Sequence, residues 1–97
     1  MRLHFVGICG TFMAGLANVA RQLGFHVTGS DRGCYEPMRS QLAGINISEG
    51  YSDTCEKHPA DAYIIGNVAR RSMPLVESII SSGRQFYSGP DWLARNV

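Results

Sequence analysis

A short apolar run over residues 3–6 breaks at Gly7 and Gly10 and passes at once into a helical repeat, and no other feature constrains the fold of this chain as much. A strand that turns through glycines into a helix leaves the first N–H groups of that helix unpaired and pointing outward, which makes the turn a cradle for anions. The dinucleotide pattern G-x-G-x-x-G would place glycine where Cys9 and Phe12 stand, so the kind of phosphate this turn takes is open.

Length and charge narrow the possibilities. The 97 residues make one domain, with room for a single core and not for a separate catalytic domain beside it. Nine basic and eight acidic residues, spread along the chain, give a net charge of +1. Neither a basic face for nucleic acid nor a polybasic run for a membrane results, so we expect no partner of either kind. The start is too soon broken by glycine for a signal peptide and no run reaches spanning length, which reads as a cytoplasmic domain. Cys9, Cys34 and Cys55 show no C-x-x-C spacing, so reduced thiols are expected, with no disulfide framework and no metal site. We read Cys9 as a small side chain packed in a tight turn, against the alternative of a thiol activated by the nearby helix end. His4, His26 and His58 read as structural or surface residues.

Strand and helix patterns alternate to the end of the chain. Strands are expected over residues 3–6, 26–30, 45–48, 62–65 and 85–87, with helices from Thr11 or Phe12 to 23 and over 37–42, 74–82 and 91–96. The first helix places Met13, Leu16, Ala17, Ala20 and Leu23 at core spacing, and Met38 and Leu42 form the inner side of the second. Residues 50–61 read as a loop with one helical turn. Ser88 stands three before Asp91 as a cap, and Pro90 suits a first helical turn. The fold class is therefore α/β: a Rossmann-like, doubly wound, five-stranded parallel sheet of order 3-2-1-4-5 with helices on both faces. In such a sheet ligands bind outside the carboxyl ends of strands one and four, where the winding reverses.

That geometry brings three loops together. In the first, Gly7 and Gly10 allow the sharp turn, and Ile8, Cys9, Thr11, Phe12 and Met13 complete the candidate diphosphate cradle. Phe12 either walls the pocket or folds back into the core; Gly15 is expected to let the helix sit close to the sheet. In the second loop, Ser30 and Asp31 end strand two, where a carboxylate can hold ribose hydroxyls or can cap its own turn. In the third, Asn67 has an amide that can read a base or a sugar, or cap a turn, with Val68 and Ala69 offering main-chain groups. Tyr51, after strand three, can stack on a base or pack on its neighbours. Arg70-Arg71 reads as a solvated loop pair.

These residues resemble the N-terminal domain of the Mur ligases, the ATP-dependent amide-forming enzymes of peptidoglycan synthesis. The resemblance rests on Gly7-Ile8-Cys9-Gly10-Thr11-Phe12-Met13-Ala14-Gly15, on Val27-Thr28-Gly29-Ser30-Asp31, on Ile64-Ile65-Gly66-Asn67 and on Ser88-Gly89-Pro90-Asp91-Trp92-Leu93. Cys9 and Phe12 choose the branch that joins UDP-N-acetylmuramate to the recycled tripeptide L-alanyl-γ-D-glutamyl-meso-diaminopimelate. The resemblance implies that this chain binds the UDP part of the nucleotide sugar and does not itself catalyse. It implies too that ATP and Mg2+ belong to a central domain of a longer parent, whose C-terminal domain brings the amino substrate. No Gly-Lys-Ser/Thr run occurs here, the one lysine being Lys57. Two other readings share the strand order: an NAD-binding domain of an oxidoreductase or redox-sensing regulator, against which Cys9 and Phe12 stand, and a degenerate interaction module.

Overall fold

A computed structural model describes residues 1–67 and 72–97. Five parallel strands, β1 (Arg2–Val6), β2 (His26–Asp31), β3 (Asn46–Glu49), β4 (Ala62–Ile65) and β5 (Phe86–Ser88), form one sheet in the order β3-β2-β1-β4-β5. The helices are α1 (Thr11–Gln22), α2 (Met38–Gln41), α3 (Pro74–Ser81) and α4 (Gly89–Asn96), and a single 3₁₀ turn, Cys55–Lys57, interrupts the connection into β4. The expected fold class and strand order are those observed.

Alternation along β1 divides the core in two. Leu3 and Phe5 point to one face, where Met13, Leu16, Ala17 and Ala20 of α1, Leu42 after α2 and Trp92 of α4 bury them. Val6 and Tyr63 point to the other, beneath Leu75, Val76 and Ile79 of α3, with Tyr51 and Cys55 alongside. His4 shares that second face, and both its ring nitrogens are satisfied at 2.7 Å, Nδ1 by the Thr28 hydroxyl and Nε2 by that of Ser30.

The departures from the sequence reading are local. Leu23, expected in the core, is 53% exposed, because α1 ends one residue before it and Leu23 forms the cap. The helix α4 begins at Gly89 rather than at residue 91, with Ser88 as its cap. Gly15 lies on the exposed side of α1 with nothing within 4 Å of where a Cβ would stand, so it does not bring the helix close to the sheet. The tightest glycine contact in the sheet is instead between Gly29 of β2 and the turn before α1, where a Cβ would lie 2.6 Å from the Ile8 side chain.

Candidate functional site

The carboxyl ends of β1 and β4 face each other at the winding reversal, as Val6↔Ile65 pairing requires. From β1 the chain enters the turn at Gly7, whose φ of 84° is open to glycine and strained for other residues. The N–H groups of Gly7 and Ile8 donate to the Ser30 carbonyl at 2.8 and 3.3 Å, and Gly10 N–H donates back to the Gly7 carbonyl at 3.3 Å. Ile8 is fully buried in the space that Gly29 leaves open. The turn is thus held from beneath.

Gly10 caps α1 without a side-chain hydrogen bond. Among the described residues, the N–H groups of Thr11, Phe12 and Met13 meet no acceptor, so three donors and the positive end of the helix dipole face the crevice together. In front of them lies a cavity of about 350 Å³, with Gly7, Gly10, Thr11, Phe12 and Met13 on one side and Gly66, Asn67, Gly89 and Pro90 on the other. Phe12, half-exposed, is a wall of this cavity and not a core residue.

The other expected site residues divide. Asn67 joins the cavity. Val68 and Ala69, like Arg70 and Arg71, lie outside the described residues. Asp31 reaches the turn from the side: its Oδ2 accepts the Cys9 N–H and its Oδ1 the Arg32 N–H, both at 2.7 Å. The carboxylate thereby caps its own turn, one of the two uses open from the sequence, and also braces the cradle, which the sequence does not foresee. Ser30 is fully buried; its carbonyl supports the turn while its hydroxyl faces away, to His4. Tyr51 departs from the stacking expectation, being only 5% exposed, with the Arg32 guanidinium 5.9 Å over its ring. Burial and the Asp31 carboxylate push its phenol up to about 12. Its ring is not offered to a base because the chain after β3 turns it under the sheet into the α3 core.

Two features of the site escape spacing arguments. Gly89 and Pro90 open α4 directly after β5, two strands from the turn, yet a Cβ on Gly89 would lie 2.7 Å from the Phe12 ring. The signal in the sequence is the glycine-proline pair just after a strand end, which by itself indicates only a helix start. The second feature corrects the expectation of reduced thiols: Cys9 and Cys34 form a disulfide with Cα atoms 5.5 Å apart, and Cys55 alone is free. Parallel pairing of Val6 with Ser30 lays the turn after β1 beside the loop after β2, and no local motif announces a pair 25 residues apart.

The description "Mur ligase family, catalytic domain" matches residues 2–97. The chain belongs to the Mur ligase family. A Mur ligase of Escherichia coli strain K12, UDP-N-acetylmuramate–L-alanyl-γ-D-glutamyl-meso-2,6-diaminoheptandioate ligase, is 47% identical over 96% of this chain and 21% of its own length. The same-named ligase of Haemophilus influenzae is 46% identical over 94% of this chain and 20% of its own. The crystal structure of the corresponding ligase from Neisseria meningitides superposes with a TM-score of 0.92 at 46% identity, over 99% of this chain and 31% of that one. This Mur ligase chain therefore spans about a fifth of the length of the curated relatives it matches.

Proposed function

We propose that this chain is the N-terminal, UDP-binding domain of an ATP-dependent ligase that attaches the recycled murein tripeptide to UDP-N-acetylmuramate. The observation that carries this reading is the open N-terminus of α1, with the N–H groups of Thr11, Phe12 and Met13 unpaired at the winding reversal. Relatives named for UDP-N-acetylmuramate and the tripeptide, at 46–47% identity, supply the substrate class. The diphosphate sits on those three donors, where Gly7 and Gly10 keep side chains out of its way. Ile8 and Cys9 shape the turn, and Ser30 and Asp31 brace it. Asn67, with Val68 and Ala69, takes the nucleoside or sugar side, Phe12 and Met13 wall the pocket, and Tyr51 supports Asp31 from below. At about 350 Å³ the cavity holds part of a nucleotide sugar, and the rest is covered by further domains of the parent.

The bond-forming chemistry lies elsewhere in the parent. These residues hold no Gly-Lys-Ser/Thr run to cradle ATP and Mg2+, so no phosphoryl step is assigned to them. What they contribute is binding and orientation, and we expect the parent to act in the cytoplasm, where nucleotide sugar and ATP meet. Calorimetric titration with UDP-N-acetylmuramate, UDP and NAD tests the reading. Saturable heat with the two uridine nucleotides and none with NAD is expected; binding of NAD alone would overturn it.

A further inference from the structure

Cys9 and Cys34 tie the cradle to the loop that follows β2. Both are partly buried and packed against the core, whereas Cys55 is fully buried. Neither bonded cysteine lines the cavity, so the bond stands behind the turn and blocks nothing in front of it. There it runs alongside the hydrogen bond from Cys9 N–H to Asp31 Oδ2 and joins the same turn to the same segment. Two further ties of that segment are exposed, Arg32 N–H to Asp31 Oδ1 at 2.7 Å and Gly33 N–H to Glu49 Oε1 at 3.0 Å, beside the Gly50 N–H bond to the Asp31 carbonyl at 2.7 Å and the Arg32 contact with the Tyr51 ring. Hydrogen bonds of this kind compete with water and hold weakly. The covalent link adds a firm tie at residue 9, next to the Gly7 and Ile8 N–H bonds to the Ser30 carbonyl that hold the start of the turn.

We propose that Cys9 and Cys34 are a reversible thiol–disulfide modification site, reacting with low-molecular-weight disulfides of the glutathione class, that sets how firmly the cradle holds a diphosphate. The regulatory half of this proposal rests on the UDP-binding reading above. In the forward direction one cysteine thiolate attacks the small disulfide, forming a mixed disulfide and releasing one small thiol. The second cysteine then displaces the remaining small thiol and closes the Cys9–Cys34 bond. Two cysteine thiols are oxidised, one small disulfide is reduced to two thiols, and the two cysteine protons end on those thiols. Excess small thiol reverses both steps.

The bond affects binding through preorganisation. An anion gains most from Thr11, Phe12 and Met13 N–H when the three are already held at one spacing, because ordering them on binding costs entropy. The disulfide fixes residue 9, two positions before the first of these donors. When it is reduced, residue 9 itself keeps the Asp31 hydrogen bond, with the bonds from Gly7 and Ile8 to the Ser30 carbonyl holding the turn just before it. The reduced chain should bind UDP on the order of three- to tenfold more weakly, as loss of preorganisation at an otherwise unchanged site predicts.

The test compares the 97-residue chain in its two redox states. Intact mass, reading the loss of two hydrogens, verifies each state after exposure to glutathione disulfide or to excess reduced glutathione, and calorimetry with UDP follows. Tighter binding by the oxidised chain is expected. Cys34→Ser should bind like the reduced chain and ignore reductant, while Cys55→Ala should keep the full response. Equal affinity in both verified states, tighter binding by the reduced state, or failure of glutathione disulfide to close the bond each overturns the proposal. UDP binding by neither state, with the bond still closing, overturns the nucleotide reading and takes the regulatory role with it, leaving only the thiol chemistry.

Discussion

Two glycines in this chain carry opposite consequences. Gly29 faces Ile8 so closely that a Cβ would stand 2.6 Å from Cδ1, 2.8 Å from Cγ2 and 2.9 Å from Cβ of that side chain. Ile8 cannot retreat, since it is fully buried and its own N–H is bound to the Ser30 carbonyl. Gly29→Ala should therefore destabilise the chain by about 1–3 kcal/mol, the range of an overpacked core, and displace the cradle with it. Gly15, by contrast, is a helix-interior glycine open to solvent, where alanine only removes backbone freedom. Gly15→Ala should stabilise by about 1 kcal/mol. Urea melts of the two variants check both; a stabilised Gly29→Ala or a destabilised Gly15→Ala would contradict the packing described. Sequence pattern alone points the other way for Gly15, because the spacing of a nucleotide-binding motif suggests helix–sheet contact there. Which glycine is squeezed depends on the neighbouring strand, and Ile8 is aimed at Gly29 only once β1 and β2 have paired.

Elements whose limits are set by their own residues could be read from the sequence. The strand β4 is an unbroken apolar run and begins and ends where expected, at Ala62–Ile65; α3 starts at its expected residue, and α1 at Thr11, the first of its two candidate starts. By contrast, β2, β3 and β5 reach one residue further than expected, to Asp31, Glu49 and Ser88, because pairing with a neighbour and not propensity ends a strand. The same dependence on neighbours hid half of the site. The cradle was legible because glycine spacing and an uncapped helix start are local, whereas Gly89, the Cys9–Cys34 pair and the burial of Tyr51 arise from strand order. The α4 cap belongs with the legible features: the Ser88 hydroxyl accepts the Asp91 N–H at 3.2 Å, as its position three residues ahead implies. This cap also sets the start of the helix that carries Gly89 and Pro90 to the cavity. Ser88→Ala should cost about 1 kcal/mol, while Ser88→Asp should retain most of the stability, since aspartate caps equally well. Thermal melts of both variants decide the matter, and equal loss in the two would show that the cap is not what Ser88 supplies.

At the scale of the whole molecule, the buried polar centre of the sheet makes folding sensitive to acid. His4 is 1% exposed, bonded at 2.7 Å to both Thr28 and Ser30, and stacked 4.5 Å from the His58 ring. Burial, reinforced by the neighbouring His58, lowers its pKa from 6.5 to about 3, so the folded state keeps the ring neutral where the unfolded chain would protonate it. The contribution is therefore complete above pH 6.5 and is lost as the pH falls from there toward 3. Within that window the unfolded state binds more protons, and stability drops with acid by up to about 1.4 kcal/mol per pH unit. Glu36 and Glu56 also favour the folded state when ionised, but their pKa values are lowered from 4.5, so their contributions fade only further down. The upper part of the window, above pH 4.5, accordingly separates His4 from these carboxylates. Chemical denaturation at pH 7.5, 6.5, 5.5 and 4.8 should show a continuous loss below 6.5. His4→Gln, which can still hydrogen-bond toward Thr28 and Ser30 but cannot titrate, should start from lower stability and remain nearly flat over the same steps. An undiminished acid slope in that variant would place the sensitivity outside the sheet. Because His4 shares its hydrogen bonds with Ser30, whose carbonyl holds Gly7 and Ile8, protonation beneath the sheet and loosening of the cradle above it belong to one structural unit.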